Sequence, residues 1–228
     1  MNGMDVGIYE PCDRAIQEMN RQNLKAFGKL KLADFDRLNV IRTVKQVYRK
    51  AAKEAEKKYF EVAYEAYILG LIMCEVDVKK TAKMADKAIT AEWVDDILTQ
   101  TDFVTLYRFD TEAERKAERL VEAIAVAEDV EGRGDQKRSM YINRDTQIDQ
   151  ALKMWTKQLG QYAINVTDYA VLQAFEDAGV KEAEWVCETD GKVCSTCRGM
   201  SGKRYKLRDY PSKPHINCRC TAKPILAK

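Results

Sequence analysis

Four cysteines and the only histidine of this 228-residue chain lie within a short stretch of its C-terminal region. Cys194 and Cys197 form a C-x2-C pair, and after 17 intervening residues His215 and Cys218 form an H-x2-C pair. Two thiolates in a C-x2-C turn can reach one tetrahedral ion, and a second pair can complete its coordination across a loop of this length. The spacing therefore predicts a metal site with these four residues as ligands.

Cys220 is a fifth candidate ligand, two residues beyond Cys218. Alternate side chains of an extended segment point to the same side, so Cys220 could take the place of His215 in the set. The sequence leaves this choice open. Because thiolate and imidazole ligands in this pattern are typical of structural zinc, we expect zinc as the cofactor.

Randomly placed cysteines, disulfides and a catalytic ion each fit the sequence less well than a structural metal site. Five of the seven cysteines fall in the last 42 residues, where even spacing would place about one, so chance scatter is disfavoured. The first residues show no signal peptide, and we therefore expect a reducing compartment, in which disulfides are rare. A catalytic ion needs an open coordination position and a nearby base, whereas these ligands close the sphere and include the only imidazole. We therefore expect no enzymatic activity.

The C-terminal segment is also strongly basic. Residues 191–228 carry ten Lys or Arg and one acid, Asp209, so their net charge is +9 while residues 1–190 carry −7. Tyr205 and Tyr210 lie among these basic residues, as in many nucleic-acid-binding faces. The charge predicts either DNA binding or docking on an acidic surface, including that of the protein's own body, and both remain open.

Long helices are predicted to precede and position this segment. No proline lies between Pro11 and Pro211, so nothing interrupts helical structure over that span. Apolar residues recur every three or four positions from Val44 to Met73 and again over 144–178, which predicts two long amphipathic helices. Gly179 is predicted as the residue that follows the second of these helices.

Shorter elements are predicted between the two long helices. The same periodicity indicates helices over 81–98 and from Ala113 to Ala127. Alternating aromatic and polar residues over 103–109 indicate an extended piece, and two glycines in polar surroundings indicate a loop over 131–136.

The composition changes after Gly179, where glycine, proline, cysteine and basic residues replace the helix-forming types. A segment this short has little core of its own and needs a metal or a docking surface. We therefore predict a mainly α fold with long amphipathic helices and a small C-terminal Cys/His metal-stapled module. Its regions are an N-terminal helical region (1–135), a long helix leading into the module (136–180) and a Cys/His-rich basic zinc-type module (181–228).

The terminal pattern resembles the phage head morphogenesis proteins, also called Mu F-like minor capsid proteins. Members share a tryptophan, an Asp shortly before C-x2-C, a Gly-Lys and a terminal His-x-x-Cys-Arg-Cys. The matching residues here are Trp185, Asp190, Cys194, Cys197, Gly202, Lys203, His215, Cys218, Arg219 and Cys220. The likeness covers about 101–226 and is strongest over 180–222. The chain departs from the pattern at Ile216, where many members have proline, and at Cys187, where a small hydroxyl residue is common.

The resemblance implies a structural protein of the virion, in the head interior or at the portal vertex, that is assembled in the host cytoplasm. The implied partners are the phage portal protein and other head proteins, with packaged DNA as a further candidate through the basic C-terminal segment. We expect no small-molecule substrate. We also expect no membrane partner, because the longest apolar run, AYILGLIM, is far below the roughly 18 residues that cross a bilayer. The rival classes are a DNA-binding zinc protein and a metal-dependent nuclease.

Overall fold

The protein is mainly helical and carries a small sheet near its C-terminal end, in agreement with the predicted fold class. The structure, a computed structural model, describes residues 7–27, 37–100, 109–132, 144–187, 193–215 and 218–226. The helices are α1 (Glu10–Phe27), α2 (Arg37–Met73), α3 (Val78–Ala88), α4 (Ala91–Gln100), α5 (Phe109–Gly132), α6 (Arg144–Asp177) and α7 (Ser195–Met200). The strands are β1 (Glu182–Val186), β2 (Arg204–Lys206) and β3 (Thr221–Pro224).

The chain divides into two compact units, and neither is continuous in sequence. The first unit consists of Met1–Ala15, Lys57–Phe103 and Gly160–Lys228, and the second of Ile16–Glu56 and Val104–Leu159. The Cys/His residues all belong to the first unit.

Helices α2 and α6 form much of the first unit's core and approach each other closely. A Cβ atom added at Gly70 would lie only 2.7 Å from the Cβ of Ala174, so glycine is what permits this approach. Tyr67 is buried beside this crossing and donates a hydrogen bond to Asp177. The predicted apolar stripe of α2 is confirmed over this part, since Tyr59, Val62 and Ala66 are buried.

In the second unit, α5 buries one face as its periodicity predicts. Ala117, Leu120 and Ile124 are buried at steps of three and four residues. An ion pair between Lys45 on α2 and Glu114 on α5, with Nζ and Oε1 2.8 Å apart, joins two helices of this unit.

The C-terminal ends of the long helices agree with the predictions, although α2 begins seven residues before Val44, and one shorter helix is divided. Helix α6 ends at Asp177 and is followed by Gly179 with a φ of +81°, a conformation that glycine adopts readily. The helix predicted over 81–98 is interrupted at Ile89, whose backbone is extended. Thr90 then starts α4, because its Oγ1 accepts a hydrogen bond from the amide of Trp93 at 3.0 Å.

Helix α5 is longer than predicted at both ends. It begins at Phe109, which was predicted to be extended, and it includes Glu131 and Gly132 of the predicted loop. The remaining residues of those two predicted segments lie outside the described residues.

The C-terminal module contains a three-stranded antiparallel sheet that the sequence did not predict. The strand order is β2-β1-β3, so β1 is central and Glu184 lies opposite both Arg204 and Lys223. Ala183 and Trp185 alternate with the glutamates and face the core, because successive side chains of a strand point to opposite sides. This alternation places Trp185 over the cysteine cluster.

Candidate metal centre

The module's core is built from one tryptophan and three cysteines. Trp185, Cys197, Cys218 and Cys220 form a buried cluster in which no side chain is more than 4% exposed. Half-buried residues surround it, among them Cys187, Val193, Cys194, Met200, Tyr205 and Tyr210. Burial of three thiols around one indole gives this small module a core made largely of candidate metal ligands.

The C-x2-C pair is arranged by the start of α7. Cys194 is the N-cap residue, and its Sγ accepts a hydrogen bond from the amide of Cys197 at 3.3 Å. This amide lowers the pKa of the Cys194 thiol, because it stabilises the thiolate. The first turn of this short helix therefore brings both thiols to one side, and it makes the Cys194 thiol easier to ionise.

Within the H-x2-C pair, the amide of Cys218 donates a hydrogen bond to the carbonyl of His215 at 3.3 Å. The Nε2 atom of His215 lies 3.4 Å from the Sγ of Cys197, and the Sγ of Cys218 lies 3.5 Å from the same sulfur. Cys197 is thus the point at which the two pairs meet.

The candidate ligands fall into two triads that share Cys197. The ligand atoms of Cys194, Cys197 and His215 lie within 4.8 Å of one another, and so do those of Cys197, Cys218 and Cys220. All five predicted ligands belong to one or both triads, and these residues could hold a metal ion. Cys218 and Cys220 join the same triad, as alternate positions of an extended segment allow.

A fifth cysteine, Cys187, also reaches the cluster, although it was not among the predicted ligands. It follows β1 directly, and its Sγ lies 3.3 Å from the Sγ of Cys220 and 3.2 Å from the carbonyl oxygen of Cys197. The sequence signal for this position is its spacing from Trp185, because residues i and i+2 of an extended strand share a face.

Burial controls the ionisation of the inner thiols. It raises the pKa of Cys220 to about 12, and it also raises the pKa of Cys197, with the neighbouring thiols of Cys194 and Cys218 acting in the same direction. Inner thiols with such pKa values are protonated at neutral pH, and a bound cation would replace those protons.

A buried polar group ties the module to the rest of the first unit. Lys213, which is 9% exposed in its side chain, places Nζ 3.3 Å from the carboxylate of Asp168 on α6 and 2.7 Å from the Tyr9 hydroxyl oxygen. Tyr9 donates to Asp168 at 2.6 Å, and its hydroxyl lies 3.0 Å from the carbonyl of Cys220. Burial raises the pKa of Asp168 above its ordinary value, and the charge of Lys213 opposes this rise.

Arg219, the residue between two candidate ligands, forms a second link of this kind. Its guanidinium pairs with Asp13 on α1 and lies 5.2 Å above the ring of Tyr9. Two of the ten basic residues of the terminal segment are therefore used to bind acids of the protein's own helices.

The basic residues of the sheet are exposed but lie next to acids. Lys206 is opposite Glu182, while Arg204 and Lys223 are both opposite Glu184. These cross-strand positions bring opposite charges together on one face. The charge of +9 that the sequence places in this segment is therefore partly balanced at the sheet's outer surface.

Comparisons with protein-family models, with curated proteins and with solved structures found no match to this chain. Among the described residues, no helix combines the length and apolar character needed to span a membrane. The residues of the terminal motif all lie in the C-terminal module, except that Asp190 is outside the described residues. The resemblance to phage head morphogenesis proteins stays a prediction.

Proposed function

We propose that this chain is a phage minor capsid protein that acts in head morphogenesis at the portal vertex and has a structural rather than a catalytic role. The observation that carries the proposal is the shared core of Trp185, Cys197, Cys218 and Cys220. These residues belong to the motif on which the resemblance rests, and they are also the ones that hold the module together. A motif whose residues form the core of the module fits a structural component.

The ionic contacts of the module support a structural role. Lys213 and Arg219 bind Asp168 and Asp13, so two of its cations attach the module to the helical body instead of facing solvent. A DNA-binding finger would keep its cations available for phosphates. The proposed partners are therefore the portal protein and other head proteins, with packaged DNA as the alternative that an experiment must separate.

Zinc is the metal we propose for this module, in a structural role. The donor set of thiolates and one imidazole matches the preference of zinc, and the distances from Cys197 to His215 and to Cys218 allow a common ion. The ion would fix the start of α7 relative to the segment before β3. The proposed location is the virion, after assembly in the host cytoplasm.

The test is co-purification of the tagged full-length chain with the portal protein encoded in the same gene cluster, after nuclease treatment and a moderate salt wash. We expect the portal to be retained by the wild type. Cys197→Ser should lose it by disrupting the module, whereas Cys74→Ser, a cysteine at the end of α2, serves as the matched control and should retain it.

Two results would contradict the proposal. Release of the portal by nuclease alone would assign the contact to DNA and favour the DNA-binding class. The other is that Cys197→Ser retains the portal while circular dichroism shows an intact helical body. That result would show that the module does not form the interface with the portal.

A further inference from the structure

Two thiols of the module lie outside the four-residue ligand set that the sequence predicts. An ion bound by the C-x2-C and H-x2-C pairs would leave Cys187 and Cys220 without a metal bond, and their sulfur atoms are 3.3 Å apart. Cys220 is 4% exposed, whereas Cys187 is half-buried, and neither is part of a disulfide. One member of this pair is therefore accessible to a reagent in solution.

The pairing of β1 with β3 explains why these two thiols meet. Val186 lies opposite Thr221 in this antiparallel pair, so the same register places Cys187 opposite Cys220. Trp185 uses its amide and its carbonyl for hydrogen bonds on the other side of β1, toward β2. Because such positions alternate, Cys187 also lies at a non-hydrogen-bonded position with respect to β3. Cα atoms at these positions are about 4.5 Å apart, within the roughly 4.4–6.8 Å that a disulfide spans.

Both positions are held in place by the surrounding fold. Cys187 directly follows β1, the central strand, which pairs with β2 on one side and with β3 on the other. The carbonyl of Cys220 lies 3.0 Å from the Tyr9 hydroxyl and accepts a hydrogen bond from the Lys213 ammonium group. Formation of a disulfide would therefore need only a small movement of the two sulfur atoms, without rearrangement of the backbone.

We propose that Cys187 and Cys220 form a reversible disulfide by exchange with a small disulfide of the oxidised glutathione class. The Cys187 thiolate attacks one sulfur of the oxidant, releases one glutathione and forms a mixed disulfide. The sulfur of Cys220 then attacks the sulfur of Cys187 and displaces the second glutathione. The two cysteines lose two electrons and two protons, and the oxidant takes up both as it becomes two glutathione thiols.

The proposed bond would enclose the predicted metal ligands. All four lie between Cys187 and Cys220 in the sequence, so the disulfide would close a loop that contains the entire site. A closed loop has fewer conformations once the ion has left, so its ligands stay closer together and recapture the ion more readily. We expect oxidation to slow the loss of zinc to a chelator by about threefold or more. In a reducing compartment the exchange runs in reverse and restores the two thiols.

The experiment oxidises the full-length chain in its zinc-loaded form. The protein is purified with zinc under reducing conditions and equilibrated in glutathione buffers with an increasing oxidised fraction. Each sample is quenched with acid, alkylated and measured as an intact mass, while native mass spectrometry counts the zinc ions. Trypsin cleaves after Lys192 and after Arg219. Cys187, Cys218 and Cys220 therefore fall in separate peptides, so the linked pair is identified directly.

The variants Cys187→Ser and Cys220→Ser are compared with Cys74→Ser, which removes a half-buried cysteine outside the cluster. We expect the wild type and Cys74→Ser to lose two hydrogens, to yield the linked peptide and to keep one zinc ion. Each of the other variants should form no internal disulfide and gain at most one glutathione. Circular dichroism verifies that the helices are kept, and the half-buried position of Cys187 makes its variant the safer one for folding.

The inference rests on the metal site proposed above only for the choice of the two unused thiols. A link from Cys187 or Cys220 to another cysteine of the cluster would overturn it. Loss of zinc on oxidation would overturn it as well, because that loss would identify Cys220 as a ligand, and so would the absence of any disulfide across the glutathione series. Formation of the expected link in a chain that binds no zinc would support the pair and reject the metal site, so the two failures are distinguishable.

Discussion

The amide of Gly202 donates a 2.8 Å hydrogen bond to the carbonyl of Trp185, and the amide of Trp185 donates in return to the carbonyl of Lys203 at 2.9 Å. Gly202 has a φ of +77°, in the left-handed region that glycine occupies without strain. The Gly-Lys pair of the terminal motif therefore serves to turn the chain from α7 back alongside β1. This turn places Trp185 against the cysteines.

Replacement of Gly202 by alanine should destabilise the module by about 1–2 kcal/mol, the cost of a left-handed conformation for a residue with a Cβ. A Cβ at this position meets no atom within 4 Å, so the substitution tests backbone strain without a steric clash. The matched control is Gly199→Ala inside α7, which also has open space and should be neutral or slightly stabilising. Urea unfolding of both variants measures the difference, and equal effects would refute the strain argument.

Removal of the metal should loosen the module and leave the long helices folded. Because the predicted ligands join α7 to the segment before β3 in a small module whose core they largely form, we expect chelator to accelerate amide exchange in β1, α7 and β3. Amides of α2 and α6 in the first unit's core should keep their protection. Hydrogen exchange followed by mass spectrometry, with and without chelator, reads these segments separately, and unchanged exchange in the module would show that no metal stabilises it.

Tyr9→Phe tests the link between the N-terminal segment and the module. The change removes a hydroxyl that bonds Asp168 and accepts from Lys213 in a largely buried group, so we expect a loss of about 1–3 kcal/mol in the free energy of unfolding. Tyr64→Phe is the matched control, since its hydroxyl bonds Asp86 at the surface, and it should cost less than about 0.5 kcal/mol. Similar losses in both variants would mean that the buried hydrogen bonds of Tyr9 stabilise the fold no more than the exposed hydrogen bond of Tyr64.

The sequence predicted the features that depend on local pattern. The apolar steps along 144–178 predict α6 to within a residue at its C-terminal end, and Gly179 follows it as expected. The cysteine spacing likewise identified residues that meet in space. Both signals lie within short stretches of chain, where propensity and periodicity act directly.

Features that depend on distant residues could not be predicted in this way. Tyr9 and Asp168 are 159 residues apart. Neither residue, considered in its own local sequence, indicates that it is buried or that it has a distant hydrogen-bond partner. The strands of the module have three to five residues in a polar and basic context, so their alternation is too brief to recognise. Cys187 departs from the motif in the sequence. Its sulfur lies close to that of Cys220 because the fold brings the end of β1 beside the segment that precedes β3.

The crossing of α2 and α6 gives the last prediction, because it rests on a contact between Gly70 and Ala174. A methyl group at Gly70 would come within 2.7 Å of the Ala174 Cβ and 3.3 Å of the Val171 backbone, so the helices would have to separate. We expect Gly70→Ala to destabilise the protein by about 1–3 kcal/mol through overpacking, despite the better helix propensity of alanine.

Ala174→Gly tests whether overpacking is the cause. On its own it should destabilise by roughly 1 kcal/mol, because glycine weakens a helix interior. Combined with Gly70→Ala it moves the methyl group from one helix to the other, so the double variant should be more stable than the sum of the single losses predicts. A coupling of at least about 0.5 kcal/mol in urea unfolding would support direct contact between the two positions. Additive losses would show that the cost of Gly70→Ala arises elsewhere, since only residues that touch can compensate each other in this way.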